Sequence, residues 1–448
     1  MDFIEACRHF ISIDSTPANG NQEIARWAAA FCRRRGFHVE EQEEFIGDLA
    51  QTNLIARPDE GRPAAEFLLQ THLDTVDPGP FPLWEKTGFN PFDAHIIDGH
   101  MHGLGTADVK LDFLCKLEAL ASFGPGRAWR LPPVLVGTFG EESGMQGALK
   151  LIRKNMVTAK MALIGEPSDM QIISAAKGFA SVEIRIPFSA QEVNYRREHN
   201  LRESTSTESK LFTGKASHSS MPHLGESAVT KMMDYLSLLP EAVHIMEIDG
   251  GINFNTVPSH AFLEIDLVSV GGDPIAKKIV NIFEAIKALE IEFLKYPDKD
   301  FYPSTPTLNI GVIRTNEDDV QISGNCRIPP VVTHETYEKW MDGLRQVCAD
   351  NGAVFRVNDY KKPFRVEPQS PLLKGCLDEL RKLGLNDQPI TQASTNEAAI
   401  FSRIGVDCVC FGPGKREGNV HTPQENVSLA DLEKSVQFYR NVIERFCL

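Results

Sequence analysis

The sequence predicts an α/β protein: a mostly parallel sheet with helices on both faces, interrupted by an inserted α+β domain with an antiparallel sheet. From about residue 22 to residue 176, short apolar segments alternate with amphipathic segments of helical length, which is typical of βα units. Residues 179–186 instead alternate apolar and polar side chains, the period of a half-solvated strand. At 448 residues the chain is also too long for one core of typical size, so two domains are expected.

The elements of the parallel sheet follow from the apolar runs and the helix stop signals. Residues 22–35 form an amphipathic segment that ends at Gly36, a common helix terminator. The other elements of this first part are a strand at 66–70, a helix at 109–123, a strand at 134–139, a helix at 145–154 and a strand at 160–164. The same pattern returns later, with helices at 335–351, 372–383 and 429–446 and strands at 353–357 and 406–411.

The middle of the chain has a different pattern. The polar residues 189–210 predict a long exposed loop. A helix at 225–239 and strands at 260–268, 308–313 and 320–328 are predicted after it, which together suit an antiparallel sheet. The simplest architecture is a catalytic domain made of residues 1–176 and 330–448, with residues 177–329 inserted as a second domain.

Charge and cysteine content narrow the possible partners and the compartment. The chain has 46 basic and 61 acidic residues and a formal charge of -15, with no strongly basic segment, which argues against nucleic acid or an anionic membrane as the main partner. No apolar run approaches the roughly 18 residues that a membrane span needs. Nine scattered cysteines, without a secretory signal, predict reduced thiols in the cytoplasm.

Histidine and acidic side chains stand where apolar segments end. They are His72 and Asp74 in T-H-L-D-T-V, Asp108 in G-L-G-T-A-D-V-K, Glu141 and Glu142 in G-T-F-G-E-E-S-G, Glu166 in I-G-E-P-S and His421 in V-H-T-P-Q-E. Parallel strands present ligands at their carboxyl ends, so these side chains are expected at one edge of the sheet. Two histidines and three carboxylates, with one carboxylate left as a base, are the inventory of a two-metal hydrolase.

Each of these residues also has an ordinary structural explanation. Asp108 precedes a predicted helix and suits an N-cap, and an isolated H-x-D pair is often a surface feature. The adjacent carboxylates of Glu141 and Glu142 are harder to explain, because they repel each other unless a cation or proton intervenes. A metal on one of them leaves the other free to take a proton from a water whose acidity the metal increases.

Together, the motifs resemble the family of acetylornithine deacetylases, succinyl-diaminopimelate desuccinylases, aminoacylases and carboxypeptidase G, which are di-zinc amidohydrolases. The matching segments occur in family order and span about residues 71–425. The resemblance implies that His72 and Glu166 hold one zinc ion, that Glu142 and His421 hold the other, and that Asp108 bridges both. It also implies that Glu141 is the general base and acid, that Asp74 orients His72, and that the peptide bond between Asp108 and Val109 is cis.

The resemblance also reaches the inserted domain. In G-K-A-S-H-S-S-M-P it implies that His218 donates to the oxygen of the tetrahedral intermediate, often from the partner subunit of a dimer; without it, His218 would be read as a loop residue capped by serines. Asn255 would contact substrate from a lid, and Arg327 would bind the substrate carboxylate. Their wide separation means that a long insertion lies between them or that one assignment is wrong. Asn325 also stands where the family usually has aspartate.

One segment favours a particular subfamily, and another departs from the family's frequent pattern. Glu397, in A-S-T-N-E-A-A-I-F, is assigned to substrate binding, since this segment is closer to the T-E-A of acetylornithine deacetylases than to the T-S-D-G-R of desuccinylases. The segment V-K-L-D-F after Asp108 departs from the family's frequent M-K-G-G.

The leading functional hypothesis is metal-dependent hydrolysis of the amide bond of a small N-acylated amino acid, such as acetylornithine or acetylcitrulline. The alternative is a metallo-exopeptidase acting on dipeptides or acyl-glutamates. A non-catalytic binding protein is disfavoured because every expected ligand and Glu141 are present. The resemblance implies two divalent ions, zinc with cobalt or manganese as alternatives, and a homodimer formed through the inserted lid domain. The acyl group, the side chain and the physiological metal stay open at this point, as does whether His218 acts in its own subunit.

Overall fold

The computed structural model describes residues 1–198, 206–240, 243–266 and 275–448. Its strands are β1 His38–Ile46, β2 Leu49–Arg57, β3 Glu66–His72, β4 His95–Ile97, β5 His100–His102, β6 Pro133–Thr138, β7 Ala159–Gly165, β8 Ile173–Ala176, β9 Gly178–Pro187, β10 Glu208–Thr213, β11 His244–Gly250, β12 His260–Asp266, β13 Thr307–Thr315, β14 Asp319–Ile328, β15 Val354–Lys361, β16 Phe364–Arg365, β17 Ile390–Gln392, β18 Asp407–Phe411 and β19 Asn426–Ser428. Its helices are α1 Phe3–Ser12, α2 Gln22–Arg34, α3 Lys110–Ala121, α4 Gln146–Arg153, α5 Ala190–Glu198, α6 Ala228–Ser237, α7 Ile275–Phe293, α8 His334–Asp350, α9 Pro371–Lys382, α10 Ala398–Ser402 and α11 Leu429–Cys447.

The chain forms two compact units. The first contains Met1–Ala175, Phe364–Thr391 and Asn396–Leu448, and the second contains Ala176–Pro363 and Gln392–Thr395. The sequence prediction ended the inserted domain at residue 329, whereas β15 pairs along β9 and α8 contributes buried residues to the core of the second unit. A helix followed by an edge strand has the same local pattern in a parallel and in an antiparallel sheet, so the sequence pattern alone misplaced residues 330–363.

The main sheet of the first unit has the strand order β1-β2-β6-β3-β7-β18-β8-β16, and β17 pairs with β8. Its central strands β6, β3, β7 and β18 are parallel, and antiparallel pairs occur on either side of them. Strands β3 and β6 are buried along their whole length, as expected for parallel strands covered on both faces. The predicted α/β class with a mostly parallel sheet is confirmed.

The carboxyl ends of these central strands lie side by side and determine where the chemistry can be. His72 is the last residue of β3, Glu141 comes three residues after the end of β6, and Glu166 follows β7 directly. The loop after β18 leads to His421. The edge of the sheet therefore gathers the acidic and histidine residues that are far apart in the sequence.

The second unit is built on a seven-stranded antiparallel sheet with the order β10-β12-β11-β13-β14-β9-β15. Several elements of this unit differ from the prediction, and strands β10 and β11 were not predicted. Part of the predicted loop is α5, and residues 199–205 lie outside the described residues. The 19-residue helix α7 was left unassigned, although its apolar positions recur at helical spacing. The predicted strand at 260–268 corresponds to β12 up to Asp266, and its last two residues lie outside the described ranges.

Two general expectations can be compared directly with the structure. Among the helices that the structure describes, none has the length and apolar character needed to cross a bilayer. All nine cysteines are buried free thiols.

Candidate active site and metal centre

Five of the predicted residues form two overlapping groups at the edge of the main sheet. Ligand atoms of His72, Glu141 and Glu142 all lie within 4.8 Å of one another, and so do those of Asp108, Glu142 and His421. Glu142 belongs to both groups, so the two candidate metal sites are adjacent. The structure thus brings together residues that come from β3, the turn before α3, the turn after β6 and the loop after β18.

The carboxylate of Asp108 faces both histidines. Its Oδ1 lies 3.2 Å from His72 Nε2, and its Oδ2 lies 3.3 Å from His421 Nε2. His421 Nε2 is also 3.0 Å from Oε1 of Glu142. Because each oxygen of Asp108 points to a different imidazole, the arrangement suits a carboxylate shared between two cations. The peptide bond between Asp108 and Val109 is cis, as the resemblance implied.

The charges of this cluster shift the pKa values of its members strongly. Burial would lower the pKa of His421, but the nearby Glu142 and Asp108 raise it to about 11. The pKa of His72 is also raised well above its usual value, because its hydrogen bond to Asp108 and the charge of Asp74 outweigh burial. Burial would raise the pKa of Asp108, but its hydrogen bonds with both histidines hold it below its usual range. Such mutual stabilisation of opposite charges is typical of a functional site.

Asp74 supports the turn that carries the two glutamates. Its Oδ1 accepts the backbone N–H of Glu141 and its Oδ2 accepts that of Glu142, each at 3.1 Å. His72 Nδ1 lies 3.1 Å from the backbone carbonyl of Asp74 and 3.7 Å from its Oδ1. With Nδ1 donating to the carbonyl of Asp74, the ring is held so that Nε2 faces Asp108, where its N–H donates to the carboxylate in the absence of a metal. Asp74 therefore contacts His72 mainly through its carbonyl and holds Glu141 and Glu142 through its carboxylate.

Glu141 is a carboxyl group that holds its proton more tightly than an ordinary glutamate. Burial, followed by the charge of Glu142, raises the pKa of Glu141 well above its usual value. A carboxyl group whose pKa is moved toward neutrality is suited to general acid–base work. The contact of Glu142 with His421 instead suits a metal ligand.

Glu166 lies at the end of β7 and pairs with an arginine that was not singled out from the sequence. Its Oε2 is 3.4 Å from Nη1 of Arg416, in the loop before His421. Its charge contributes to the raised pKa values of Glu141 and Glu397, so Glu166 faces the same cluster although it is in neither three-residue group. In the sequence, the only feature that could have indicated a role for Arg416 is its position between the G-P-G turn and His421.

Glu425 is a second residue that the sequence analysis did not assign. Its Oε1 accepts the backbone N–H groups of Ala107 at 2.9 Å and of Asp108 at 3.1 Å. It is buried, and burial raises its pKa to about 8. Glu425 therefore holds the backbone on which the shared carboxylate of Asp108 stands. Glu425 is the last residue of the V-H-T-P-Q-E motif, and its place in that motif is the sequence feature that could have indicated its role.

Glu397 lies behind the cluster. Its Oε2 accepts hydrogen bonds from Gln70 on β3 and from Thr138 on β6, the latter at 2.9 Å. Its exposure is 1%, which suits support of these two strands better than direct contact with a substrate, the role that the resemblance implied. Burial raises the pKa of Glu397 from 4.5 to about 8.

Replacing Glu397 with glutamine is expected to change how the stability of the metal-free protein depends on pH. Between pH 4.5 and pH 8 the folded protein keeps a proton on Glu397 that the unfolded chain has released, so stability falls as the pH rises through this window. Glu397→Gln should remove this contribution, on the order of 3–5 kcal/mol across the window. Urea unfolding in chelator at pH 5 and pH 8 measures it, with exposed Glu417→Gln as the control. If the free energy of unfolding changed by the same amount between pH 5 and pH 8 in Glu397→Gln as in the parent protein, the expectation would be contradicted.

His218, Asn255 and Arg327 lie together within the second unit. The backbone N–H of Ser219 donates to the carbonyl of Asn255 at 2.8 Å, and Arg327 Nη2 donates to Ser219 Oγ at 3.4 Å. The backbone of His218 forms an isolated antiparallel β-bridge with that of Thr256. Nδ1 of His218 accepts the backbone N–H of Ser220 at 3.1 Å. The wide separation of Asn255 and Arg327 in the sequence therefore reflects intervening elements, among them α7 and β13, and the fold brings the two residues back together.

Asn325, which replaces the family's usual aspartate, is part of the same cluster. Its Nδ2 donates to the carbonyl of Phe254 and lies 3.4 Å from Oδ1 of Asn255. The guanidinium of Arg327 stacks over the ring of Phe179, with 4.7 Å between the guanidinium carbon and the ring centroid. An amide at position 325 can therefore anchor the loop of Asn255 by donating a hydrogen bond, which a carboxylate could not do.

A parallel sheet whose carboxyl edge gathers histidines around a shared carboxylate is the arrangement of a metal-dependent hydrolase. The chain belongs to Peptidase family M20/M25/M40, whose family model matches residues 68–445. It is 31% identical to an acetylornithine deacetylase of Pectobacterium atrosepticum over an alignment of 463 positions, which covers 99% of this chain and 98% of the relative.

Solved structures agree on the fold. An M20 family metallo-carboxypeptidase from Sulfolobus solfataricus superposes with a TM-score of 0.65 at 17% identity, covering 100% of this chain and 99% of the other. A dinuclear metal-binding peptidase of the M20 family from Bacillus subtilis gives a TM-score of 0.52 at 12% identity, covering 98% and 96% of the two chains. At these identities the likeness establishes the fold and leaves the substrate to be determined.

Proposed function

We propose that the protein hydrolyses the amide bond of a small N-acylated amino acid with the help of two divalent metal ions. The observation that carries the proposal is the carboxylate of Asp108, which presents one oxygen to His72 and the other to His421. The donor set of imidazole nitrogens and carboxylate oxygens fits zinc, and also cobalt or manganese. The solved M20 relative that binds two metals supports the same count.

The residues divide into two ligand sets joined by one carboxylate. His72 and Glu166 would hold one ion, Glu142 and His421 the other, and Asp108 would contact both. Oε2 of Glu166 faces the guanidinium of Arg416, so a Glu166 that binds an ion would have both the ion and Arg416 beside its carboxylate. When bound, such ions polarise a substrate carbonyl and increase the acidity of water.

The chain supplies the proton transfers and the positioning. Glu141 would take a proton from the attacking water and return it to the departing amine, which requires a carboxyl group that can carry a proton near neutral pH. Asp74 keeps Glu141 in place through its hydrogen bond to the backbone N–H. Asp74 also fixes the imidazole of His72 through its carbonyl, so that Nε2 stays directed at Asp108.

The second unit would supply substrate recognition and the homodimer contact. We assign to His218 the donation of a hydrogen bond to the oxygen of the tetrahedral intermediate, from its own chain or from a partner subunit. Arg327 would bind the substrate carboxylate, since a guanidinium matches a carboxylate in a bidentate geometry. Asn255 would contact the substrate from the loop that Asn325 anchors.

Two variants are expected to separate these roles. His218→Ala should lower kcat by about 100- to 1,000-fold, because its hydrogen bond strengthens only as charge develops on the oxygen. Arg327→Met should mainly raise KM, because carboxylate binding is equal in the ground and transition states. Steady-state kinetics measure both, with His223→Ala and Arg314→Met as controls on exposed side chains. Unchanged kcat in His218→Ala would exclude its catalytic role.

A substrate panel tests the proposed function itself. Full-length protein loaded with zinc, cobalt or manganese is assayed with N-acetylornithine, N-acetylcitrulline, other N-acyl amino acids, dipeptides and acyl-glutamates. We expect the highest kcat/KM for an N-acyl amino acid, as for the deacetylase relative; hydrolysis of acetylornithine would place the protein in arginine biosynthesis. Cleavage of dipeptides or acyl-glutamates alone would favour the exopeptidase alternative, which the carboxypeptidase fold relative supports. The Glu141→Gln protein serves as the blank for contaminating activity.

A further inference from the structure

A fully buried polar network lies under the proposed metal site. The carboxylate of Asp112 accepts hydrogen bonds from Thr71 Oγ1 at 2.6 Å and from the hydroxyl of Tyr439, and it pairs with Lys116 Nζ at 2.7 Å. Lys116 Nζ also donates to the carbonyl of Gln70 at 2.6 Å and to Thr71 Oγ1 at 3.1 Å. We call Thr71, Asp112, Lys116 and Tyr439 the α3 network.

The α3 network touches the segments that carry three of the proposed ligands. Thr71 immediately precedes His72 on β3. Asp112 and Lys116 belong to α3, which begins two residues after Asp108. The hydroxyl of Tyr439, whose single proton is shared with Asp112, also lies 3.2 Å from the carbonyl oxygen of Phe411, and the same carbonyl accepts the backbone N–H of Glu166 at 3.4 Å.

Gly165 allows the end of β7 to approach this network closely. A Cβ atom at position 165 would lie 2.3 Å from Asp112 Oδ2 and 2.9 Å from Thr71 Oγ1, distances that no side chain can adopt. The residue before Glu166 is therefore in direct contact with the carboxylate that also holds the residue before His72. The three ligand-bearing segments converge on one buried carboxylate.

The α3 network is not well explained as a contribution to the stability of the folded protein. Removing a charge pair from water is expensive, and a buried ion pair replaced by apolar residues of similar volume is often neutral or stabilising. Lys116 and Asp112 are both fully buried, and Asp112 stands in the V-K-L-D-F segment where the family's frequent pattern has glycine. A carboxylate that accepts hydrogen bonds from a threonine, a lysine and a tyrosine fixes the relative positions of the strand and helices that carry them much more narrowly than apolar packing would.

We propose that the α3 network is a positioning device for the metal centre, which holds His72, Asp108 and Glu166 at their mutual distances before any metal binds. The inference rests on the proposed function. None of the four residues of the network is among the proposed metal ligands, and all four are buried. Their effect is exerted through the backbone of the ligand-bearing segments, so their loss should weaken metal binding more than it weakens folding. Partners behind metal ligands typically affect metal affinity by 10- to 100-fold.

The test uses two nearly isosteric variants and a matched control. Thr71→Val and Tyr439→Phe each remove one hydroxyl of the network. Thr158→Val removes a comparable hydroxyl that donates to Pro63 and Glu66 next to the amino end of β7, away from the ligands. For each full-length variant we would measure the melting temperature, the affinity for cobalt by competition with a chelator, and the visible spectrum of the cobalt form.

The expected result is a loss of cobalt affinity of about 10-fold or more in Thr71→Val and Tyr439→Phe, together with an altered cobalt spectrum. Thr158→Val should lower the melting temperature about as much as the two network variants do, but it should keep the cobalt affinity and the cobalt spectrum of the parent protein. Parent-like cobalt affinity in both network variants would overturn the inference. A parent protein that binds no cobalt, or a His72→Ala variant that binds it normally, would instead refute the proposed metal site, so the two failures are distinguishable.

Discussion

Replacing Glu141 with glutamine is expected to lower kcat by about 1,000-fold or more while the metal content stays unchanged. Glutamine has nearly the same shape but cannot take a proton from water and return it to an amine. The backbone of Glu141 would still be held by Asp74, so the turn and the neighbouring ligands should keep their positions. Steady-state kinetics and elemental analysis of the same preparation measure the two quantities.

The adjacent residue is the matched control. Glu142 belongs to both candidate ligand groups, and its Oε1 is 3.0 Å from His421. Glu142→Gln should therefore lower metal occupancy as well as activity, whereas Glu141→Gln should lower activity alone. Near-native turnover by Glu141→Gln would show that the base is another group, and loss of metal from that variant would make Glu141 a ligand.

Replacing Asp108 with alanine is expected to reduce bound metal from two ions to fewer than one per chain. Each oxygen of its carboxylate faces a different histidine, so its removal deprives both ligand sets of an anionic partner. Elemental analysis after zinc loading and desalting measures the change, and exposed Asp93→Ala is the control. Two ions retained by Asp108→Ala would exclude its bridging role.

The sheet and the convergence of the site were predictable from local patterns. Apolar segments that end in His72, Glu141 and Glu166 predict parallel strands, and parallel strands place their carboxyl ends at one edge. The same pattern also placed Asp108 and His421 at this edge, although neither directly ends a strand in the structure, and the family resemblance added their pairing with particular ligands. The structure brings both to the same cluster.

Other features depend on tertiary contacts that no local pattern encodes. Glu425 supports the backbone of Asp108 across more than 300 residues of sequence. The polar contacts of Asp112 in the α3 network depend on Tyr439 in the last helix. The end of the second unit was misplaced because the pairing of β15 with β9 is a long-range contact. Asn255 and Arg327 were hard to reconcile for the same reason, since Ser219 contacts both.

The position of the metal ions tests the central claim most directly. A crystal of the zinc-loaded protein, with anomalous data collected on both sides of the zinc edge, locates each ion without reference to activity. We expect two peaks about 3.5–4 Å apart, the usual spacing of a two-metal site. They should be coordinated by His72, Asp108, Glu142, Glu166 and His421, with Glu141 close by but unbound. A single peak, or two peaks that Asp108 does not join, would contradict the account.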